Sequence, residues 1–279
     1  MRRLNFTLWS VLVMFLAVGF TSCSTEDEPQ ADEISNEVLA QFTDLGFDVS
    51  DIEFVNHNNP LTGESSKQYK LEGDILIPES QMREMLESDV FHVGAVGEQY
   101  RTNNLVSNNR TIRVIGYTGG SNALDNTMRT ALSWAIDNYN ALNTGLNFTL
   151  TYGTNYGSYD IVVYRVSGGG GGSAGFPSGG NPYKFVQIQS GTSSYGTNTT
   201  EHVITHEIGH CLGLRHTDYF NRSLSCGTGG NEGSGGVGAI HIPGTPTGFD
   251  ANSIMLSCFS ANEDGEFGSF DRVALEYLY

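Results

Sequence analysis

The sequence predicts an α+β fold, and three observations predict it. Four runs have the apolar, β-branched character of strands: Thr111 to Tyr117, Asn147 to Tyr152, Asp160 to Val166 and Lys184 to Gln189. Long helical patterns alternate with them, over Asn122 to Leu142 and Thr199 to Leu212. A last helical run, Phe270 to Tyr279, closes the chain. The 279 residues suit one main domain, 106–279, behind an N-terminal extension.

The extension opens with Arg2 and Arg3, an apolar run from Leu8 to Phe20, and Phe20-Thr21-Ser22-Cys23. That run is too short to span a bilayer, which takes about 20 residues, and fits the apolar core of an export signal. Small residues before Cys23 resemble a bacterial lipobox, in which the cysteine becomes the lipidated N-terminus. This makes 1–22 a lipoprotein signal and places the protein outside the cytoplasm, at the outer membrane or cell surface, with the lipid its only membrane contact. An ordinary cleaved signal is the alternative. Residues 23–33 are an acidic tether.

Residues 34–105 form a modest separate region. Ile34, Val38, Leu39, Phe42 and Leu45 have helical spacing, and Gly46 argues for the end of that helix. Tyr69 to Pro78 reads as a strand running into a turn. Gln81 to Ser88 reads as a short helix with Ser80 as its N-cap.

In the main domain, Thr111 to Tyr117 alternates and is the first strand. The helix after it has apolar residues at 124, 128, 131, 132, 135, 136, 139 and 142. The glycine-rich stretch 167–172 lacks the Gly-Lys-Ser/Thr ending of a phosphate loop. Ser173, Ala174, Gly175 and Phe176 follow, then the strand Lys184 to Gln189. The helix Thr199 to Leu212 has Thr199 or Thr200 near its N-cap. Phe270, Val273, Ala274, Leu275 and Leu278 would pack the terminal helix on the domain.

The chemistry lies in His206-Glu207-Ile208-Gly209-His210-Cys211-Leu212-Gly213-Leu214-Arg215-His216. His206 and His210, four apart on a helix, stand on one face and can reach one zinc ion. Glu207 is beside the first of them, where it can take a proton from water. Gly213 can end the helix in a left-handed conformation. The chain then turns, and His216 can supply a third nitrogen, leaving a fourth position open.

His-Glu-x-x-His-x-x-Gly-x-x-His resembles the zinc signature of the metzincin metalloproteases. The form His-Glu-Ile-Gly-His with Cys-Leu-Gly-Leu-Arg-His-Thr-Asp is similar to the dual-action HEIGH metallopeptidases, and the likeness runs from about Gly73 to the C-terminus. The resemblance implies a twisted mixed sheet with two long helices and a C-terminal subdomain with a methionine turn, for which Met255 in Ser253-Ile254-Met255-Leu256 fits. It implies a zinc endopeptidase with one Zn(2+) per chain, held by His206, His210 and His216, with Glu207 as base. It makes Ser173 to Phe176 the edge strand that pairs with substrate, and Leu256 to Ala261 a wall of the substrate pocket. A tyrosine two residues past the methionine, present in some metzincins, is here Ser257. The position of 34–105 ahead of such a domain suggests a pro-segment, or an accessory region that stays attached. No cysteine lies between Cys23 and Cys211, so a latency ligand there is not a thiolate; Asp74, His57 and His92 are the candidates.

Charge and cysteines bound the rest. The net charge is −17, with three lysines (Lys67, Lys70, Lys184), so no basic face invites nucleic acid. The expected partners are protein or peptide substrates, and the chain is expected to be a monomer. Cys226 and Cys258, in loops on either side of the methionine turn, are the favoured disulfide; Cys211 with Cys226 is the rival. Asp218 either tethers the turned chain, accepts from a ligand histidine, or sits exposed. His241 is a spare histidine, and Asn262 to Glu266 a solvated acidic loop rather than a calcium site. Two other functions remain: a zinc-bearing surface-binding lipoprotein without turnover, and a zinc hydrolase of a non-peptide amide.

Overall fold

The computed structural model describes residues 34–45, 47–87, 99–231, 239–246 and 248–279. Cys23, the signal and tether segments, Gly46 and His92 lie outside the described residues. Strands β5 (Arg110–Tyr117), β6 (Leu146–Gly153), β7 (Ile161–Val166) and β9 (Phe185–Gln189) run parallel, in the order β6-β5-β7-β9. Parallel neighbours need a crossover, and helix α3 (Asn126–Asn140) makes it between β5 and β6. The short β8 (Gly172–Ser173) lies antiparallel on β9 and forms the edge. The sheet is therefore mixed, within an α+β chain.

Two long helices pack on this sheet. In α3 the apolar spacing buries Met128, Ala131, Leu132, Ala135, Ile136 and Tyr139. Its N-cap is Asp125, whose side chain accepts from Met128 N–H, so the helix starts later than the apolar pattern alone suggests. Helix α4 (Thr197–Leu212) is buried from Thr199 to its end. It starts two residues earlier than Thr199, after Gly196, so Thr199 and Thr200 are inside the helix rather than capping it; Thr200 Oγ1 donates back to Gly196 O. Gly213 closes α4 at φ 106°, a conformation strained for any side chain. Tyr139 Oη donates to Thr205 O across the α3–α4 contact at 2.8 Å.

Residues 34–87 build a second layer. Helix α1 (Asn36–Asp44), the antiparallel sheet β1 (Glu53–Asn58)–β2 (Ser65–Leu71)–β3 (Ile75–Pro78) and helix α2 (Glu79–Glu87) share one apolar cluster. The stretch Tyr69 to Pro78 is two strands and not one: Glu72 at φ 55° and Gly73 at φ 91° turn the chain between β2 and β3. Helix α2 begins at Glu79, directly behind Pro78, which places Ser80 within its first turn and not at its cap. Residues 34 to 279 form one compact unit.

The two layers meet at the sheet edge. Phe176 is buried among Phe47, Ile75 and their neighbours, and its carbonyl accepts from Gln81 Nε2 at 3.1 Å. Burying one such ring contributes about 1.5–3 kcal/mol. That packing corrects the predicted edge strand. Only Ser173 of Ser173 to Phe176 pairs with β9; Ala174 pairs with Ile75 instead, and Gly175 and Phe176 leave the sheet.

The C-terminal part holds a four-residue helix α5 (Ser223–Cys226) and helix α6 (Ser269–Leu278). In α6, Ala274 and Leu275 are buried, whereas Val273 is exposed on the opposite face and does not pack as its apolar nature suggested. Strand β4 (Tyr100–Arg101) pairs with β10 (Ile240–His241). Tyr279 Oη donates to Leu212 O at the end of α4. Among the described residues no helix is long and apolar enough to cross a membrane.

Candidate metal centre and cleft

Helix α4 places His206 and His210 one turn apart on one face, and the turn at Gly213 brings His216 back to them. The ring centroids are 4.7 Å (His206–His210), 4.9 Å (His210–His216) and 5.3 Å (His206–His216) apart. Asp74, from the β2–β3 turn, completes the group: one ligand atom from each of the four residues lies within 4.8 Å of the others. Asp74 Oδ2 is 3.4 Å from His206 Nε2 and 3.3 Å from His216 Nε2, and Oδ1 is 3.9 Å from His210 Nε2.

The outward nitrogens fix which ring atom faces inward. His206 Nδ1 donates to Ile254 O and His210 Nδ1 to Leu214 O, each at 2.8 Å. His216 Nδ1 faces Glu72 Oε2 at 3.6 Å. These contacts orient the imidazoles and leave Nε2 as the acceptor. Nε2 of His206 and of His210 is buried without a hydrogen-bond partner. Buried polar atoms are seldom left so, and converging imidazole nitrogens with a carboxylate are donors that suit a divalent metal ion. The residues present fit such an ion.

Met255 lies against this helix face. A Cβ on Gly209, between the two α4 histidines, would meet Met255 Sδ at 2.5 Å, so any side chain there would have to displace the methionine from its present position. The turn is held from below by Asp271, which accepts from Gln99 Nε2, Ser253 Oγ, Ile254 N–H and Gly268 N–H at 2.7–2.9 Å. Burial nonetheless pushes the Asp271 carboxyl up to about 6.

Glu207 follows His206 and points into the adjoining cleft. It is 1% exposed, and its Oε2 has no partner. A Cβ on Gly172 would come within 2.5 Å of Glu207 Oε1, so the glycine of the edge strand is what lets the carboxylate approach the sheet. Burial, and then Asp74, raise its proton affinity well above that of an ordinary glutamate. For Asp74 burial acts in the same sense, but His216, His206 and His210 outweigh it and hold the carboxyl well below the usual range. Burial, with His206 adding, lowers His210 well below an ordinary histidine, consistent with a neutral ring.

The cleft is a cavity of about 160 Å³ between α4 and the chain after Met255, with Leu256, Ser257, Cys258 and Phe259 on its wall. Asp218 ties that wall to the turned chain. Its Oδ1 accepts from Ser257 N–H and Oγ, and its Oδ2 from Ser225 Oγ. It makes none of the contacts that orient the histidines. Cys226 and Cys258 are joined, with Cα atoms 5.1 Å apart, and Cys211 is buried and free. His57 lies beside Gln187 Nε2, at 3.3 Å, and His241 beside Thr245, both away from the histidine cluster. Ala174, beside the cleft, exchanges backbone hydrogen bonds with the N-terminal layer: Leu76 N–H donates to Ala174 O at 2.7 Å and Ala174 N–H to Asp74 O at 3.1 Å.

Sequence reasoning missed Glu72, Arg215, Arg222 and His202. Arg215 is fully buried and donates to Glu72 Oε1 at 3.0 Å. Arg222 donates to Asp51 Oδ2 and Glu72 O, each at 3.0 Å. Nothing in the local pattern pairs positions 143 or more apart in sequence. His202 was findable: it precedes His206 by the same four residues that separate His206 from His210.

Comparison with known proteins bears on this centre. A model of the dual-action HEIGH metallopeptidase family matches residues 69–279. No curated protein matches. Two solved structures of myroilysin are similar to parts of the chain. One is 19% identical, with a TM-score of 0.39, over 65% of this chain and 98% of that one. The other is 15% identical, with a TM-score of 0.36, over 66% and 86%.

Proposed function

Because the chain belongs to the dual-action HEIGH metallopeptidase family, a metzincin-type fold, we propose that it is a zinc-dependent endopeptidase held latent by its own residues 34–105. The observation that carries the reading is the convergence of His206, His210 and His216 beside Glu207. Zinc, when bound, supplies a Lewis acid for the scissile carbonyl and makes water more acidic. His206, His210 and His216 would hold it, one ion per chain. Glu207 Oε2 takes the proton from the attacking water and passes it to the leaving amine nitrogen. Gly172 to Ala174 offers main-chain groups to an extended peptide.

Latency follows from what now occupies these positions. Asp74 takes the place beside the three imidazoles that the reacting groups need. Asp74 and Leu76 take the Ala174 main-chain groups a substrate would use. Activation then requires that residues 72–76 leave, whether by cleavage or by opening.

The test is digestion of a proteome-derived peptide library by zinc-loaded protein lacking residues 1 to about 100, so that neither the Asp74 carboxylate nor the main chain of residues 74–76 blocks the site. Internal cuts that vanish with a chelator are expected. Intact peptides with zinc bound and the fold retained would overturn the peptidase reading. We further propose a monomer anchored outside the cytoplasm through Cys23, in keeping with Phe20-Thr21-Ser22-Cys23. Cys23→Ser should release it from the membrane fraction, and unchanged fractionation would refute the anchor.

A further inference from the structure

Two guanidinium groups stand on the turned chain around and after the third histidine, and both meet one residue of the N-terminal layer. Arg215 Nη2 donates to Glu72 Oε1 at 3.0 Å, with both side chains fully buried. Glu72 Oε2 faces His216 Nδ1 at 3.6 Å. Arg222 Nη2 donates to Glu72 O at 3.0 Å. Glu72, Gly73 and Arg222 line the cleft that also holds His206 and Glu207. The corner that receives the Glu72 carboxylate is built by Arg215 and His216, on the chain that turns back after α4.

Occupant and walls separate on activation. Glu72 belongs to the segment that must leave, whereas Arg215, His216 and Arg222 belong to the domain that stays. The blocking segment therefore displays what the corner binds: a carboxylate on a planar guanidinium, whose fork of donors suits it. A buried ion pair is a poor means of joining two layers, because apolar packing does so without the desolvation cost. A guanidinium whose carboxylate departs is left disfavoured until another takes its place. Phe47 of the N-terminal layer covers Arg215, its ring centroid 5.0 Å from Cζ, and Tyr219 of the main domain stands at 5.9 Å and remains against it. The net charge of −17 works against acidic peptides in general, so a preference for them has to come from this corner.

We infer that the space filled by Glu72 is a carboxylate subsite, with Arg215 as its specificity-determining residue and Arg222 beside it, and that the blocking segment sits there as an acidic substrate would. On the peptidase reading, on which only the identity of the guest rests, the guest is a peptide carboxylate, from a glutamate or aspartate side chain or from the chain end. Glu72 precedes Asp74 by two residues. An extended peptide with its scissile carbonyl beside the imidazoles therefore presents that carboxylate at one fixed position, about two or three residues from the cut.

The subsite can be emptied in the full chain, so the first test needs no activation. Glu72→Ala removes the carboxylate and keeps the rest of the segment. Sodium acetate should raise the melting temperature of this variant by about 2–4 °C over sodium chloride of equal ionic strength. Acetamide, which has the shape without the charge, should not. The parent, whose subsite is filled, and Glu72→Gln, which fills it with an amide, should show no acetate-specific rise. If Glu72→Ala does not fold unaided, its refolding yield in acetate against chloride gives the same reading. Equal effects of acetate and chloride on Glu72→Ala, or a rise of the same size in the parent, would overturn the inference. The library digest separates the two readings. Enrichment of glutamate or aspartate at one position near the cut supports a side-chain guest, and cuts at a fixed distance from the free C-terminus support the terminal carboxylate. Cuts with neither pattern refute the subsite as a substrate site and leave the peptidase reading standing. An acetate effect without any cutting supports the subsite and sinks the peptidase reading.

Discussion

Asp74 Oδ2 lies 3.3 Å from His216 Nε2. The two residues are 142 apart in the chain, and the carboxylate reaches the imidazole because Glu72 and Gly73 both take positive φ and fold β2 back onto β3. One side chain from the N-terminal layer thereby meets all the histidines of the signature.

Removing that side chain should unmask the centre. In the full-length, zinc-loaded protein, Asp74→Ala should raise cleavage of a fluorogenic peptide at least about tenfold, the equivalent of about 1.4 kcal/mol of blocking interaction. Asp74→Asn should fall between, since an amide is a poorer metal ligand than a carboxylate but fills the same space. Equal activity in all three proteins would refute Asp74 as the latency group.

His216 tests the metal centre itself. It comes from outside α4, and its position rests on the left-handed turn at Gly213. One zinc per chain is expected in the parent, measured by competition with a chromophoric chelator. His216→Ala should weaken binding at least about 100-fold, because the outer-shell partners of metal ligands are themselves worth 10–100-fold. Unchanged affinity would show that His206, His210 and Asp74 suffice, and that the third histidine is misassigned.

Much of this centre was legible because its parts are close in sequence. Helical periodicity alone puts His206 beside His210, and glycine chemistry alone ends the helix at Gly213. The parallel strands were legible for the same reason: each is a short run with its own pattern. What the sequence concealed depends on pairings between distant segments. Nothing local marks Asp74 above His57 or His92, and nothing local tells that Phe176 leaves the sheet edge to enter the cluster of Phe47 and Ile75. The caps failed for a physical reason too. Thr199 and Thr200 are good N-cap residues, but their burial beneath the domain is served by one more turn of helix, started by Gly196 at φ 92°.

Glu201 should make stability depend on pH. Burial, with Glu266 and Asp264 adding repulsion, raises its carboxyl from 4.5 to about 7. Between about 4.5 and about 7 the folded state therefore holds a proton that the unfolded chain has released. Stability from this group is greatest below about 4.5, falls as pH rises to about 7, and is level above that. Glu201→Gln keeps an oxygen to accept from Asn138 Nδ2, now at 2.9 Å, and removes the titration. The variant should match the parent at pH 4 and exceed it at pH 8 by on the order of 1 kcal/mol, less than the full shift because water and salt screen the repulsion. Thermal melts of both across pH 4–8 decide it; parallel curves would refute the assignment.

Glu207 divides catalysis from binding. Its carboxylate neighbours the histidine cluster without joining it: the group of potential ligands contains His206, His210, His216 and Asp74. Glu207→Gln keeps the shape beside Gly172, where a Cβ would not fit, and removes the base. Zinc content should therefore barely change, and thermal stability at neutral pH should not fall, because burial already disfavours the Glu207 carboxylate. A positioned proton-transfer group contributes typically ~10²–10⁴-fold, so cleavage should fall at least about 100-fold. The comparison belongs in the Asp74→Ala background, where the blocking carboxylate cannot mask turnover. The loss should appear in kcat with KM little altered, because the proton moves only in the transition state. A variant that also lost zinc or peptide binding would point to a structural part for Glu207. One that cleaved as fast as its parent would rule Glu207 out as the base, since among the described residues no other carboxylate in the cleft is held by α4 beside the histidines.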